Sequence, residues 1–135
     1  PTSTVDYLLA AEGVEGMAGF DPMVPPALDD GWRATVARFD GNRWRLVVTT
    51  PAQDFVSTEQ SRASVREILM TSGVELERGK TANLAGETWR IGDDGSGNTA
   101  YLREADEFVY LVISSAPKQT VADYVASFVP FSTLD

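Results

Sequence analysis

Six arginines stand against three acids between residues 32 and 66, and four of them, Arg33, Arg38, Arg43 and Arg45, fall on one strand-turn-strand segment. Planar guanidinium forks suit carboxylates and phosphates, so this segment could line a groove for an acidic ligand. The same charges could instead neutralise the acids of residues 1–31. Trp32, Trp44 and Trp89 could stack on a sugar or an aromatic ligand, although tryptophans more often pack in a core. Glu59-Gln60-Ser61 sets a carboxylate, an amide and a hydroxyl in a row. In one reading Ser61 caps the following helix while Glu59 or Gln60 satisfies loose backbone donors. In the other, Glu59 and Gln60 face a cleft beside Trp89 and Arg45 and orient a polar ligand or a partner segment. The candidate ligand-binding residues are therefore Arg45, Glu59, Gln60 and Trp89.

No catalytic residue, metal ligand or cofactor is expected. The chain of 135 residues has neither Cys nor His, which excludes disulfides, thiolate nucleophiles, the usual zinc sites, Ser-His-Asp triads and imidazole ligation of haem. Gly95-Ser96-Gly97-Asn98-Thr99-Ala100 spells a dinucleotide fingerprint, but a strand follows it where a helix is needed. Asp93 and Asp94 beside it do not have the spacing of a calcium loop. Gly73 stands one residue too far ahead of Gly79-Lys80-Thr81 for a phosphate-binding loop. Ser115-Ala116-Pro117-Lys118 matches S-x-x-K without its partner motifs. Asp54 and Glu59 form a carboxylate pair of the kind that hydrolyses glycosides, yet with twenty acids such pairs are common.

A net charge of −9 repels nucleic acid and anionic membrane surfaces, and favours a soluble monomer. Residues 1–31 carry six acids and no base. No apolar stretch is long enough to span a bilayer. Because the chain begins at Pro1, a preceding segment holding a signal or anchor is expected.

The elements that must position these residues follow from periodicity and punctuation. Val5 to Ala18 reads as a short helix or irregular arm, followed by an extended segment with Pro22, Pro25 and Pro26. Its core anchors should be Tyr7, Leu8, Met17, Phe20 and Leu28. Strands are predicted at Trp32 to Phe39 and Arg43 to Thr50, joined by Asp40-Gly41-Asn42, and at Phe55 to Gln60. Ser61 to Ser72 reads as a helix stopped by Gly73, with Ser64 and Glu67 as a capping box if it starts late. Four strands follow: Val74 to Glu77, Glu87 to Ile91, Thr99 to Arg103, and Phe108 to Ser114. The last is apolar on both faces and so belongs in the middle of a sheet. Thr120 should cap a final helix with the stripe Val121, Tyr124, Val125 and Phe128, ended by Pro130. The whole is an α+β domain over residues 1–135: a curved antiparallel sheet of about six to seven strands with two or three packed helices, and residues 1–31 as an arm on the sheet domain of residues 32–135.

Pro25-Pro26-Ala27-Leu28-Asp29-Asp30-Gly31-Trp32, the strand from Trp44 ending in Thr50-Pro51, Glu59-Gln60-Ser61 and Gly86-Glu87-Thr88-Trp89 together resemble the actinobacterial family known as domain of unknown function 4245. Asp29 stands where that family tends to have Pro, and Val47-Val48-Thr49 where it has G-Y-L. The resemblance implies an extracytoplasmic domain held at the cell membrane by a transmembrane anchor absent from this chain. The layout is also similar to the Mog1/PsbP-like fold. The combined expectation is a non-enzymatic envelope module that binds an unknown small molecule or an envelope protein. The alternative is a hydrolase or small-ligand carrier using acidic and Arg residues in a cleft.

Overall fold

Alternating apolar residues and polar turns generate the architecture in chain order. A computed structural model describes residues 4–18, 20–40 and 42–134, the side chains of residues 16–18 excepted. The elements are α1 (Tyr7–Ala18), β1 (Met23–Val24), β2 (Arg33–Phe39), β3 (Arg43–Thr49), β4 (Phe55–Ser61), α2 (Val65–Ser72), β5 (Glu75–Leu84), β6 (Glu87–Asp93), β7 (Thr99–Ala105), β8 (Phe108–Ser114), α3 (Lys118–Ala126) and β9 (Val129–Pro130). Seven strands form one curved antiparallel sheet in the order β2-β3-β4-β8-β7-β6-β5, and β1 pairs with β9 in a small second sheet. The α+β class and the antiparallel sheet agree with the sequence reading.

The sheet buries both faces. Its inner face carries Trp44, Leu46, Val48, Val56, Tyr101, Val112 and Trp89, packed with Tyr7, Ala11 and Val14 of α1, Phe20, and Val121 and Tyr124 of α3. Its outer face carries Ala100, Leu102, Val109 and Leu111 under Ile68 of α2 and Val74. This two-sided burial explains the apolar run of β8, which is the fourth strand of seven. Tyr7 and Phe20 are buried and Leu8 and Leu28 partly so, as anchors should be, while the side chain of Met17 lies outside the described residues. Gly41 does as well, but the strands flanking it pair as predicted, from Arg33↔Thr49 to Phe39↔Trp44.

Several boundaries differ from expectation for identifiable reasons. β5 runs on to Leu84, through Gly79-Lys80-Thr81, with a register shift between Leu76 and Thr81. An edge strand exposed along Glu77 to Thr81 needs no apolar alternation, so periodicity could not mark it. Gly92 opposes this strand so closely that a Cβ there would collide with the Glu75 carbonyl. Ser61 does not cap α2; it ends β4 and its Oγ accepts from the Ala63 N–H at 3.0 Å. The cap is Ser64, whose Oγ accepts from the Glu67 N–H at 3.2 Å. Thr120 is likewise not a cap, because α3 starts at Lys118 behind Pro117, whose fixed φ of −58 sets the entry without a side-chain bond. Phe128 follows the helix and is only partly buried, against Tyr124 at 4.9 Å between ring centroids. Pro130 pairs with Met23 in the β1–β9 sheet.

Candidate functional site

A strand sends successive side chains to opposite faces, and this divides the four sequence candidates. In β4, Gln60 lies opposite Trp44 and Tyr110 on the inner face, while Glu59 lies opposite Arg45 and Leu111 on the outer face. Trp89, in β6, belongs to the inner core. The structure therefore brings Glu59, Gln60 and Trp89 to the lining of one cavity, with the Glu59 carboxylate turned to Arg43 and Arg45, and leaves Arg45 outside that lining.

Each pair is explained by its neighbours. Gln60 is 3% exposed; its Oε1 accepts from the Met23 N–H at 2.7 Å and its Nε2 donates to the Asp21 carbonyl at 3.1 Å. Trp44 Nε1 donates to the Met23 carbonyl at 3.3 Å. Gln60 and Trp44 thus replace the ladder that the arm around β1 lacks on this side, a structural duty that uses the whole amide. On the outer face Glu59 lies 3.5 Å from Arg43 Nη1 and 3.9 Å from Arg45 Nε. Burial pushes the Glu59 carboxyl above the ordinary glutamate value, Arg43 and Arg45 pull it back, and Asp40 adds a small push upward. Arg43 also reaches Asp40 at 3.4 Å. These two arginines answer acids of β4 and of their own hairpin, not those of the N-terminal arm.

The cavity on the inner face has a volume of about 280 Å³. Its walls include Trp44, Leu84, Val112, Val125 and Phe128, and its polar end is built by Trp89, Arg103 and Tyr110 with Glu87 at the rim. Three adjacent strands deliver that end: Arg103 pairs directly with Tyr110 of β8, and it comes next along from Leu102, which pairs with Arg90 of β6. The Arg103 guanidinium carbon lies 5.5 Å from the Trp89 ring centroid and 5.3 Å from that of Tyr110, within cation–π range. Its Nη1 is 3.8 Å from Glu87 Oε2. Two buried donors here, Arg103 Nε and Trp89 Nε1, have no hydrogen-bond partner. Burial raises the Tyr110 hydroxyl's pKa, with Arg103 opposing, so that hydroxyl keeps its proton.

Sequence reasoning missed Arg103, Glu87 and Tyr110. Arg103 is the only base between Arg90 and Lys118, and it shares a strand face with Tyr101, so its burial was the available signal. The three tryptophans do not form one platform. Trp44 and Trp89 line this cavity, whereas Trp32 lines a second one of about 260 Å³ with Leu28, Asp29, Asp123 and Tyr124. There the Trp32 and Tyr124 rings lie 5.3 Å apart, and burial, with a smaller push from Tyr7, keeps the Tyr124 hydroxyl protonated.

The remaining motifs are occupied structurally. Asp94 accepts from Asn98 Nδ2 at 2.8 Å and from the Ser96 N–H at 2.8 Å, which close the Gly95–Gly97 turn ahead of β7 and hold the Asp94 carboxyl below its usual range. Ser115 Oγ donates to Asp54 at 3.1 Å and accepts from the Phe55 N–H at 3.1 Å, fastening the end of β4. Asp54 and Glu59 are five strand positions apart, about 16–17 Å, beyond the span of paired glycosidase carboxylates. Among the described residues no helix is long and apolar enough to cross a membrane.

Comparison with known proteins adds one identification. The model of a family described as "Protein of unknown function (DUF4245)" matches residues 1–128, and the chain belongs to that family. No curated protein and no solved structure matches it.

Proposed function

We propose that this member of the family is a non-enzymatic binding module that holds a small, largely apolar molecule in the cavity between the inner face of the sheet and the end of α3. The observation that carries this reading is an apolar hollow of about 280 Å³ walled by Trp44, Leu84, Val112, Val125 and Phe128, with one guanidinium, that of Arg103, in its lining and only a 3.8 Å pair to Glu87 to balance it. Apolar walls with a few convergent polar groups are the usual build of a small-molecule site. A glycosidase would need convergent carboxylates, and the two acids that line this cavity do not converge: the Glu59 carboxylate lies with Arg43 and Arg45, and Glu87 is exposed at the start of β6.

The module would work on the outer side of the cell membrane, tethered by an anchor outside this chain; family resemblance supports that placement. Protease accessibility of the full-length protein in intact cells tests it, and protection from added protease would overturn it. For the cavity itself, Trp44 and Trp89 provide a built-in readout. Octanoate, with ten heavy atoms, fits about 280 Å³, which equals the liquid volume of roughly nine waters. Titration should shift tryptophan emission, and Val125→Phe, which fills the cavity from α3, should remove the shift while the circular dichroism spectrum is kept. Unchanged binding by that variant would exclude this cavity.

A further inference from the structure

Resting on the reading of the cavity as a binding site, we infer that its ligand is an amphipathic organic anion whose head displaces Glu87 from Arg103. Among the described residues that line the cavity, Arg103 is the only base. Its guanidinium can only donate, it is 26% exposed, and its Nη1 meets an acid only at 3.8 Å, at Glu87. A neutral ligand with one acceptor would leave a guanidinium, flanked by the Trp89 and Tyr110 rings, without a matching charge. A carboxylate or similar anion offers several acceptor sites and cancels that charge in one group.

The existing counter-ion is poorly placed to do this. Glu87 reaches Arg103 only at 3.8 Å, and its side chain is 61% exposed against 26% for Arg103. An exposed pair of that length is weak and easily exchanged. Glu87 begins β6, next to the Ala85-Gly86 turn, so its carboxylate can turn to solvent without disturbing the sheet. The remainder of the ligand is apolar, because Leu84, Val112, Val125 and Phe128 offer it no hydrogen bond through their side chains, while Thr58 and Gln60 bond within the protein and the Glu59 carboxylate lies with Arg43 and Arg45. Head and tail are therefore fixed by position: anion toward Arg103, hydrocarbon or aromatic body toward α3.

The test compares octanoate with octan-1-ol, which shares the tail and lacks the charge, by tryptophan emission and calorimetry. Octanoate should bind about 10- to 100-fold more tightly, as a charge-assisted bidentate contact does over a neutral one. Arg103→Gln should erase that preference and leave octan-1-ol unchanged, and Arg103→Lys, which keeps the charge if the Gln variant does not fold, should retain part of it. Glu87→Gln should tighten octanoate several-fold, again without effect on the alcohol. Equal binding of the two compounds, or a Glu87→Gln variant that binds octanoate no better, overturns the anion assignment while leaving the cavity reading intact. Binding of neither compound overturns both.

Discussion

Charge is handled oppositely on the two faces of the sheet. On the outer face a largely covered acid, Glu59, sits at 12% exposure between two arginines, and Arg43 is shared further with Asp40. On the inner face a half-buried base, Arg103, has one distant and exposed acid and an Nε with no hydrogen-bond partner. The first arrangement is internally complete. The second is complete only with something added. The comparison teaches that a buried charge marks a binding site by what its surroundings fail to supply, not by its being charged; Glu59 and Arg45 attract attention in the sequence and prove to be a local structural pair.

The comparison can be broken most severely through the inner core. Trp44, 1% exposed, joins the cavity wall to the arm, and Trp44→Ala should cost about 3–5 kcal/mol in chemical denaturation and abolish octanoate binding. A midpoint within error of wild type would mean that the inner face is not the main core. Next comes Gln60→Ala, which strips two hydrogen bonds from the arm and leaves the Met23 N–H buried, for an expected loss of about 2–4 kcal/mol. If Gln60 instead serves ligand alone, its removal will leave the denaturation curve where it was. Tyr124→Phe runs the other way. The hydroxyl is buried without a partner, so deleting it should stabilise the protein by about 1 kcal/mol, and a loss of stability would reveal a bond to that oxygen.

The smallest effect sharpens the contrast. Because burial raises the Glu59 pKa, the folded protein binds that proton more tightly than the unfolded chain does. Stability contributed by this group is therefore highest in acid and declines as pH rises through the window above about 4.3, the ordinary glutamate value. Glu59→Gln should flatten that decline, change neutral-pH stability by no more than about 0.5 kcal/mol, and leave octanoate binding untouched. Loss of binding in this variant would put the carboxylate in the cavity and collapse the distinction between the faces.

How much was legible beforehand depended on whether the signal was local. β8 announced its central place through Phe108 to Ile113, and the late start of α2 was visible in Ser64 and Glu67, because both follow from nearest-neighbour chemistry. The division of the Glu59 and Gln60 side chains was equally available: once Phe55 to Gln60 is a strand, adjacent side chains point to opposite faces. Both residues do line one cavity with Trp89, but alternation sends the Glu59 carboxylate to Arg43 and Arg45 on the outer face, so only Gln60 presents its side chain inward. Arg103 was harder, since its meeting with Trp89 and Tyr110 depends on two separate hairpin registers. β9 was beyond reach, as Met23 and Pro130 meet across nearly the whole chain and neither carries a strand pattern.

The strand order has a kinetic consequence. β2-β3-β4 and β5-β6-β7-β8 are each built from successive neighbours joined by short turns, so each half can zip up from local hairpins. Within the seven-stranded sheet, only β4 against β8 must bring together segments separated by all the residues between Ser61 and Phe108. Closing that loop loses chain entropy before its contacts form, and such closure sets the pace in sheets rich in distant pairings. The two halves should therefore behave as early, separately nucleating units whose docking along β4 and β8 is the slow event. Weakening the Gln60↔Tyr110 end of that seam should retard refolding, whereas changes at the β5 edge should mainly hasten unfolding.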